Sequence, residues 1–230
     1  MFDGKFRAPV DRAVKPLGNG LRRTGLTPDH LTIVGLLMAV GAAVAIGAGA
    51  LRLGLLLVVL ATLPDLLDGA LAKASNSSSQ RGAFFDSVID RFADALLLGG
   101  VAWYLASHES AHMAMLPFGV MALSSIISYM RAKAESLGLD AKGGLMERAE
   151  RIIALCIGLL FNVLLIPILW AMLALTGLTA VQRFVKVWHQ AAVAPVTAER
   201  IEMRRSRRQT RRVVRSTRRR THIVRPDRRA

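Results

Sequence analysis

DLLDGALAKASNSSSQRGAFFDSVID, residues 65–90, sets Asp65, Asp68, Asp86 and Asp90 inside or beside two long apolar runs. Moving a carboxylate from water into hydrocarbon is costly, so an acidic residue within a membrane span marks a functional site by default. Asp65 and Asp68 stand at i, i+3, and Asp86 and Asp90 at i, i+4. Each pair therefore shares one helix face, and adjacent antiparallel helices can bring the two pairs together. Carboxylates converging in low dielectric cannot all stay ionised without cations. A divalent metal is the natural counter-charge, and oxygen-only donors favour Mg2+, Mn2+ or Ca2+ over zinc. Paired metals of this kind neutralise phosphate oxygens and stabilise the attacking and leaving groups of a displacement. Gly69 and Gly82 remove side chains beside the carboxylates, where a ligand needs close backbone approach. Asp94, one turn beyond Asp90, reads equally well as a helix-end acid reaching for the headgroups.

The composition around this stretch is that of a membrane protein. Hydrophobic residues make up 53% of the chain, yet the formal net charge is +15. A soluble domain rarely combines the two, whereas apolar spans with basic cytoplasmic ends do. Cys156 is the single cysteine and lies in an apolar run, which excludes an intramolecular disulfide and a cysteine metal cluster. The N-terminus is mixed and basic and lacks the short apolar core of a cleaved signal peptide.

Residues 1–26 repeat Val10, Val14, Leu17 and Leu21 at helical spacing among basic residues. The reading is a basic amphipathic juxtamembrane helix on an anionic surface, with a loosely structured arm as the alternative, since Pro16, Gly18 and Gly20 interrupt it. Thr27-Pro28-Asp29 is a helix start: a capping hydroxyl, a proline suited to the first helical position and an acid at the positive end of the dipole. Six apolar spans follow, near 31–50, 53–72, 83–107, 114–129, 152–165 and 167–185. The first is rich in Gly and Ala, which suggests close helix packing. Lys73 to Gly82 is a polar loop, and only Asn162 and Pro167 interrupt the last two spans, leaving their boundary open.

Lys and Arg fall on one side of this arrangement: Lys5 to Arg23, Lys73 and Arg81, Arg131 to Arg151, and Arg183 onward. That asymmetry predicts an all-α integral membrane protein of six transmembrane helices with both termini cytoplasmic. The acidic cluster then sits at the cytoplasmic end of the second and third helices, and the location is the cell (plasma) membrane. Three segments result: 1–26, a six-helix domain over 27–190, and an Arg-rich tail over 191–230.

Asp65, Asp68, Gly69, Ala72, Lys73, Gly82, Asp86 and Asp90 together resemble the DxxDGxxAR…GxxxDxxxD signature of the CDP-alcohol phosphotransferases, with Lys73 where that family usually has Arg. The resemblance covers residues 27–190. It implies six spans, a homodimer, and displacement of CMP from a CDP-linked lipid such as CDP-diacylglycerol by an alcohol. It implies Asp65, Asp68 and Asp86 as metal ligands, and Asp90 as general base while also approaching a metal, with two Mg2+ or Mn2+ ions. The nucleotide-contacting positions of the family fall on Asp29, His30, Leu31, Thr32, Gly69, Lys73 and Ser79. Lysine at 73 keeps the charge but loses the bidentate fork of arginine. Elementary chemistry agrees with these roles, because an acceptor hydroxyl must lose its proton as it attacks phosphorus and a nearby carboxylate can take it.

Downstream, SYMRAKAESLGL, GGLMERAERII and VQR resemble the phosphatidylinositol-phosphate synthases of actinobacteria, a branch that uses inositol phosphate. That likeness implies an acceptor-phosphate pocket of Ser128, Arg131, Lys133, Arg151 and Arg183, with the Lys and Arg of the first segment exchanged. A basic pocket suits a phosphorylated acceptor, and glycerol-3-phosphate is the alternative within the family. A cation transporter is the alternative from another class, although transporters commonly carry two related halves and no second DxxDG-like segment follows residue 95. The Arg-rich tail should be disordered in isolation and bind anionic membrane lipids rather than nucleic acid.

Overall fold

The structure, a computed structural model, describes residues 28–62 and 80–192. The N-terminal segment, Asp65, Asp68, Gly69, Lys73, Ser79 and the Arg-rich tail lie outside the described residues. By compactness the chain divides into Met1–Phe184 and Val185–Ala230. In the second unit the Gln190 amide donates to the Lys186 carbonyl at 3.3 Å.

Within the described residues the architecture is all-helical: α1 Pro28–Gly47, α2 Leu51–Thr62, α3 Gln80–His108, a 3-10 turn Ala111–Ala114, α4 Met115–Ser136, α5 Arg148–Leu160 and α6 Asn162–Ala191. Helix α1 begins at Pro28 with Asp29 in its first turn, as its sequence predicts. Among the described residues, three stretches are both long and apolar enough to cross a membrane: Asp29–Gly47, Ala111–Ser136 and Asn162–Ala191. Helix α3 has 29 residues, about 44 Å of rise, but carries its acids in the first half. At 13 residues, about 20 Å, α5 is shorter than a bilayer core.

Several boundaries differ from the sequence-based expectation. Helix α3 starts at Gln80 inside the expected loop, and α5 starts at Arg148, a full turn before the apolar run. Helix α4 continues through Ser136, where Arg131 Nε meets Glu135 Oε1 at 3.0 Å across one turn. The open boundary falls at Phe161, whose backbone leaves the helical region with φ −116° and ψ 88°. Asn162 then opens α6 and accepts the Tyr104 hydroxyl on Oδ1 at 3.3 Å. Pro167 lies inside α6.

Glycine closes two helices. Gly49 has φ +85°, and after α1 the Ala50 N–H bonds the Ala45 carbonyl while that of Gly49 bonds Ile46, both at 2.9 Å. Gly138, with φ +72°, repeats the pattern after α4 through Leu139 to Ala134 and Gly138 to Glu135. Both are six-to-one, five-to-two C-caps, which need a left-handed residue where glycine carries no Cβ penalty.

The small residues of α1 do bring backbones together. Ala39 and Ala42 are fully buried, and a Cβ at Gly100 of α3 would lie 2.6 Å from the Ala43 carbonyl oxygen and 2.7 Å from its Cα. One turn along, Gly47 lies against the Trp103 ring. On the other side, Gly119 of α4 faces Leu173 of α6, and Gly158 of α5 faces Leu165. The apolar core runs through Ile46, Val58, Val101, Leu105, Val120 and Leu169.

Because a backbone cannot swing aside as a side chain can, Gly100→Ala should lower the detergent-solubilised unfolding midpoint, by the equivalent of about 1–3 kcal/mol. Gly99→Ala adds the same methyl where nothing lies within 4 Å and should leave the midpoint unchanged or raised.

Candidate active site

Helix α3 presents Asp86, Asp90 and Asp94 at successive i+4 positions on one face. Two of these meet the first turn of α5. Arg148 Nη1 lies 2.8 Å from Asp90 Oδ1, and its Nε lies 3.2 Å from Asp94 Oδ1. Arg151 Nη2 approaches Asp94 Oδ2 at 3.0 Å, and its Nη1 donates to the Met146 carbonyl at 3.4 Å. The order is Asp90, Arg148, Asp94, Arg151: alternating charges in which each guanidinium is held by two acceptors. Arg91, on the exposed side, stands 3.7 Å from Asp90 Oδ2 and donates to the Ser87 carbonyl at 2.7 Å.

The side chains of Asp90, Asp94 and Arg151 are 19%, 17% and 8% exposed. Charges so far withdrawn from water persist only when paired and hydrogen-bonded. Asp90 and Arg148 line a crevice with Thr32, Gly35 and Ala61, at the meeting of α1, α2, α3 and α5. The predicted nucleotide residue Thr32 and the predicted base thus face one space. Leu31 and Thr32 are buried, while His30 is exposed. Asp29 is half-buried.

The predicted acceptor residues form a second group. Arg183 of α6 is 4% exposed. Its Nη1 donates to the Ile127 carbonyl and its Nη2 to the Gly143 carbonyl, both at 3.2 Å, and Nη2 also meets Glu147 Oε1 at 3.4 Å. Its Nε is buried and has no hydrogen-bond partner among the described residues. Ser128, next to Ile127, is half-buried, and Arg131 and Lys133 are exposed on α4. The charges of Arg131 and Arg151 act on Arg183, as do those of Glu147 and Glu135. Arg131, Arg151 and Arg183 therefore come into one neighbourhood, yet Arg151 and Arg183 are also built into the protein by buried contacts.

The segment between α4 and α5 ties the two groups together. Its Met146 N–H donates to Thr179 Oγ1 at 3.0 Å, and that hydroxyl donates to the Leu175 carbonyl at 2.8 Å. Gly144 packs against the Thr179 methyl. Glu147 and Arg148 follow directly, one facing Arg183 and the other Asp90.

For a metal, the described residues supply Asp86 and Asp90, hard oxygen donors one turn apart on α3; among the described residues no group of three potential ligands forms. Asp86 is half-buried, and the donor chemistry suits a Mg2+-like cation. From the sequence, Asp94 stands open between the site and a helix end, and Arg148 is one of several basic residues near the site; their contact with each other is not legible. What signal the sequence holds is the second i+4 step of the aspartate series, from Asp90 to Asp94, opposite Arg148 and Arg151 at i, i+3.

Thr179→Val keeps the shape but leaves the buried Met146 N–H without its acceptor. It should cost about 1–3 kcal/mol of stability, read as a lower unfolding midpoint, and should loosen the segment that carries Glu147 and Arg148.

Comparison with known proteins identifies the family. Residues 25–194 match the CDP-alcohol phosphatidyltransferase family. The phosphatidylinositol phosphate synthase of Mycobacterium marinum is 34% identical over 192 residues, covering 79% of this chain and 82% of its own. The archaetidylinositol phosphate synthase of Methanothermobacter thermautotrophicus is 33% identical over 195 residues, covering 81% of this chain and 94% of its own. The crystal structure of Mycobacterium tuberculosis phosphatidylinositol phosphate synthase with CDP-DAG bound gives a TM-score of 0.72 at 33% identity, covering 77% of this chain and 94% of that one. Its complex with manganese and citrate gives 0.72 at 32% identity, covering 76% and 88%. With the match spanning the whole described helical region, the chain belongs to the CDP-alcohol phosphatidyltransferase family.

Proposed function

We propose that this protein transfers the phosphatidyl group of CDP-diacylglycerol to inositol phosphate, releasing CMP. The observation that carries the reading is Asp90 in a crevice shared with Thr32 and Arg148, in a chain with the family's aspartate signature. The likeness to synthases of two different lipids, phosphatidylinositol phosphate and archaetidylinositol phosphate, supports inositol phosphate as the common acceptor. Arg183 adds support of a different kind: a buried N–H without a partner among the described residues is costly, and a phosphate oxygen is the kind of acceptor that would satisfy it.

In this reading an acceptor hydroxyl oxygen bonds to the lipid-linked phosphorus of CDP-diacylglycerol. The bond from that phosphorus to the bridging oxygen breaks, CMP leaves with the bridging oxygen, and Asp90 takes the hydroxyl proton. Asp65, Asp68, Asp86 and Asp90 would hold two divalent cations, Mg2+ or Mn2+, which supply counter-charge to the phosphate oxygens. Asp29, His30, Leu31, Thr32, Gly69, Lys73 and Ser79 would hold the CDP-lipid. Ser128, Arg131, Lys133, Arg151 and Arg183 would receive the acceptor phosphate, with Arg151 and Arg183 already oriented by their protein contacts.

The setting proposed is a six-span homodimer in the cell membrane, with both termini and the active site on the cytoplasmic side. The Arg-rich tail is read as lying against anionic lipids, each charge near the surface contributing about 1 kcal/mol.

With CDP-diacylglycerol and inositol phosphate, the purified protein should release CMP only in the presence of Mg2+ or Mn2+, and a chelator should stop it. Asp90→Asn should lower kcat by about 100-fold or more. CMP release with glycerol-3-phosphate but not with inositol phosphate would replace the acceptor named here; unchanged turnover in Asp90→Asn would remove Asp90 as the base.

A further inference from the structure

The ion network between α3 and α5 includes a carboxylate to which the reaction above gives no task. Asp94 splits its two oxygens between two guanidiniums: Oδ1 to Arg148 Nε at 3.2 Å and Oδ2 to Arg151 Nη2 at 3.0 Å. Arg148 then reaches Asp90 Oδ1 at 2.8 Å through Nη1. Arg151 is anchored on its other side by the Met146 carbonyl at 3.4 Å. Asp94 thus stands between the base and one of the cations proposed to receive the acceptor phosphate.

Asp94 does not line the crevice that holds Thr32, Asp90 and Arg148. It lies behind it, with Arg151, against an apolar wall of Leu97, Leu98, Ile152, Leu155 and Met172. Away from water, electrostatic forces are stronger and less screened, and a planar guanidinium pinned at two nitrogens loses its freedom to rotate. Simple neutralisation of one arginine needs one carboxylate oxygen. Here one carboxylate fixes two arginines at a set spacing, one bonded to Asp90 and the other among the residues proposed above to receive the acceptor phosphate.

Resting on the function proposed above, we propose that Asp94 is a positioning residue, which holds Asp90 in register with the cation that receives the acceptor phosphate. Arg148 transmits its position to Asp90, and Arg151 transmits it to the acceptor. A hydroxyl must lie within hydrogen-bond reach of the base while its own phosphate is bound elsewhere, so a displacement of about 1 Å between the two anchors costs on the order of 100-fold in rate.

The test uses the full-length protein in detergent micelles, with Asp94→Asn and Asp94→Glu. Four quantities are measured: kcat, both KM values, the unfolding midpoint, and the rise in midpoint on adding inositol phosphate, which reports binding without turnover. Asp94→Asn should lower kcat about 10- to 100-fold, raise the inositol phosphate KM and shrink the inositol phosphate-induced rise. Its CDP-diacylglycerol KM should stay within about twofold of wild type. Added to Asp90→Asn, it should slow turnover no further, because the base it positions is already gone.

Wild-type kcat and acceptor KM in Asp94→Asn would overturn the inference. So would a fall in midpoint with kcat per folded molecule preserved, the mark of a merely structural pair. Should Asp94→Asn not fold, Asp94→Glu decides: it keeps the charge but moves it by one methylene, so a reduced kcat supports register and full wild-type kcat overturns it. If the wild-type protein releases no CMP with inositol phosphate, the proposed function fails; wild-type turnover with Asp94 variants unaffected sinks this inference alone.

Discussion

Asp90 and Asp94 on α3 and Arg148 and Arg151 on α5 hold one another through contacts of 2.8 to 3.2 Å, and much of the site follows from that match. Each of these charges is partly or largely withdrawn from water, where an unpaired ion costs several kcal/mol. The pairing fixes how the first turn of α5 meets the middle of α3. It also explains why α5 begins at Arg148 rather than at the apolar run that follows. Glu147, one residue earlier, is thereby directed at Arg183, so one short segment serves both clusters.

The neutral interactions around this network are as demanding as the charged ones. Gly100 lets α3 lie directly against the α1 backbone at Ala43, on the helix whose first turns carry Thr32 into the crevice beside Asp90. On the opposite flank, Thr179 secures the segment before α5 through Met146. Close backbone packing and single hydroxyl contacts thus set the walls between which the ions meet. In a membrane the hydrophobic effect does not favour helix association over lipid contact, so this packing and these polar contacts carry the association.

The proposed acceptor region has a consistent physical character. Arg151 and Arg183 are buried and bonded to carbonyls and carboxylates, whereas Arg131 and Lys133 are exposed on α4. Fixed guanidiniums deep in the protein need little further ordering when an anion arrives. Exposed basic side chains at the rim can adapt to it. An acceptor site with both kinds would combine orientation with reach.

The sequence by itself determined the helical class, the start of α1 at Pro28, the close packing of its small residues and the i+4 series that puts three aspartates on one face of α3. These follow from helix periodicity and from residue chemistry within one or two turns. Tertiary structure decided the rest. The boundary between α5 and α6, left open between Asn162 and Pro167, is marked by the Phe161 break and by a Tyr104 hydroxyl 58 residues away. Asp94 changed from an ambiguous helix-end acid to the centre of an ion network because its partners lie 54 and 57 residues downstream. Spacing says which side chains share a face; it does not say which face of another helix will meet them. That choice is made by whole-helix packing, where each buried charge must find its opposite.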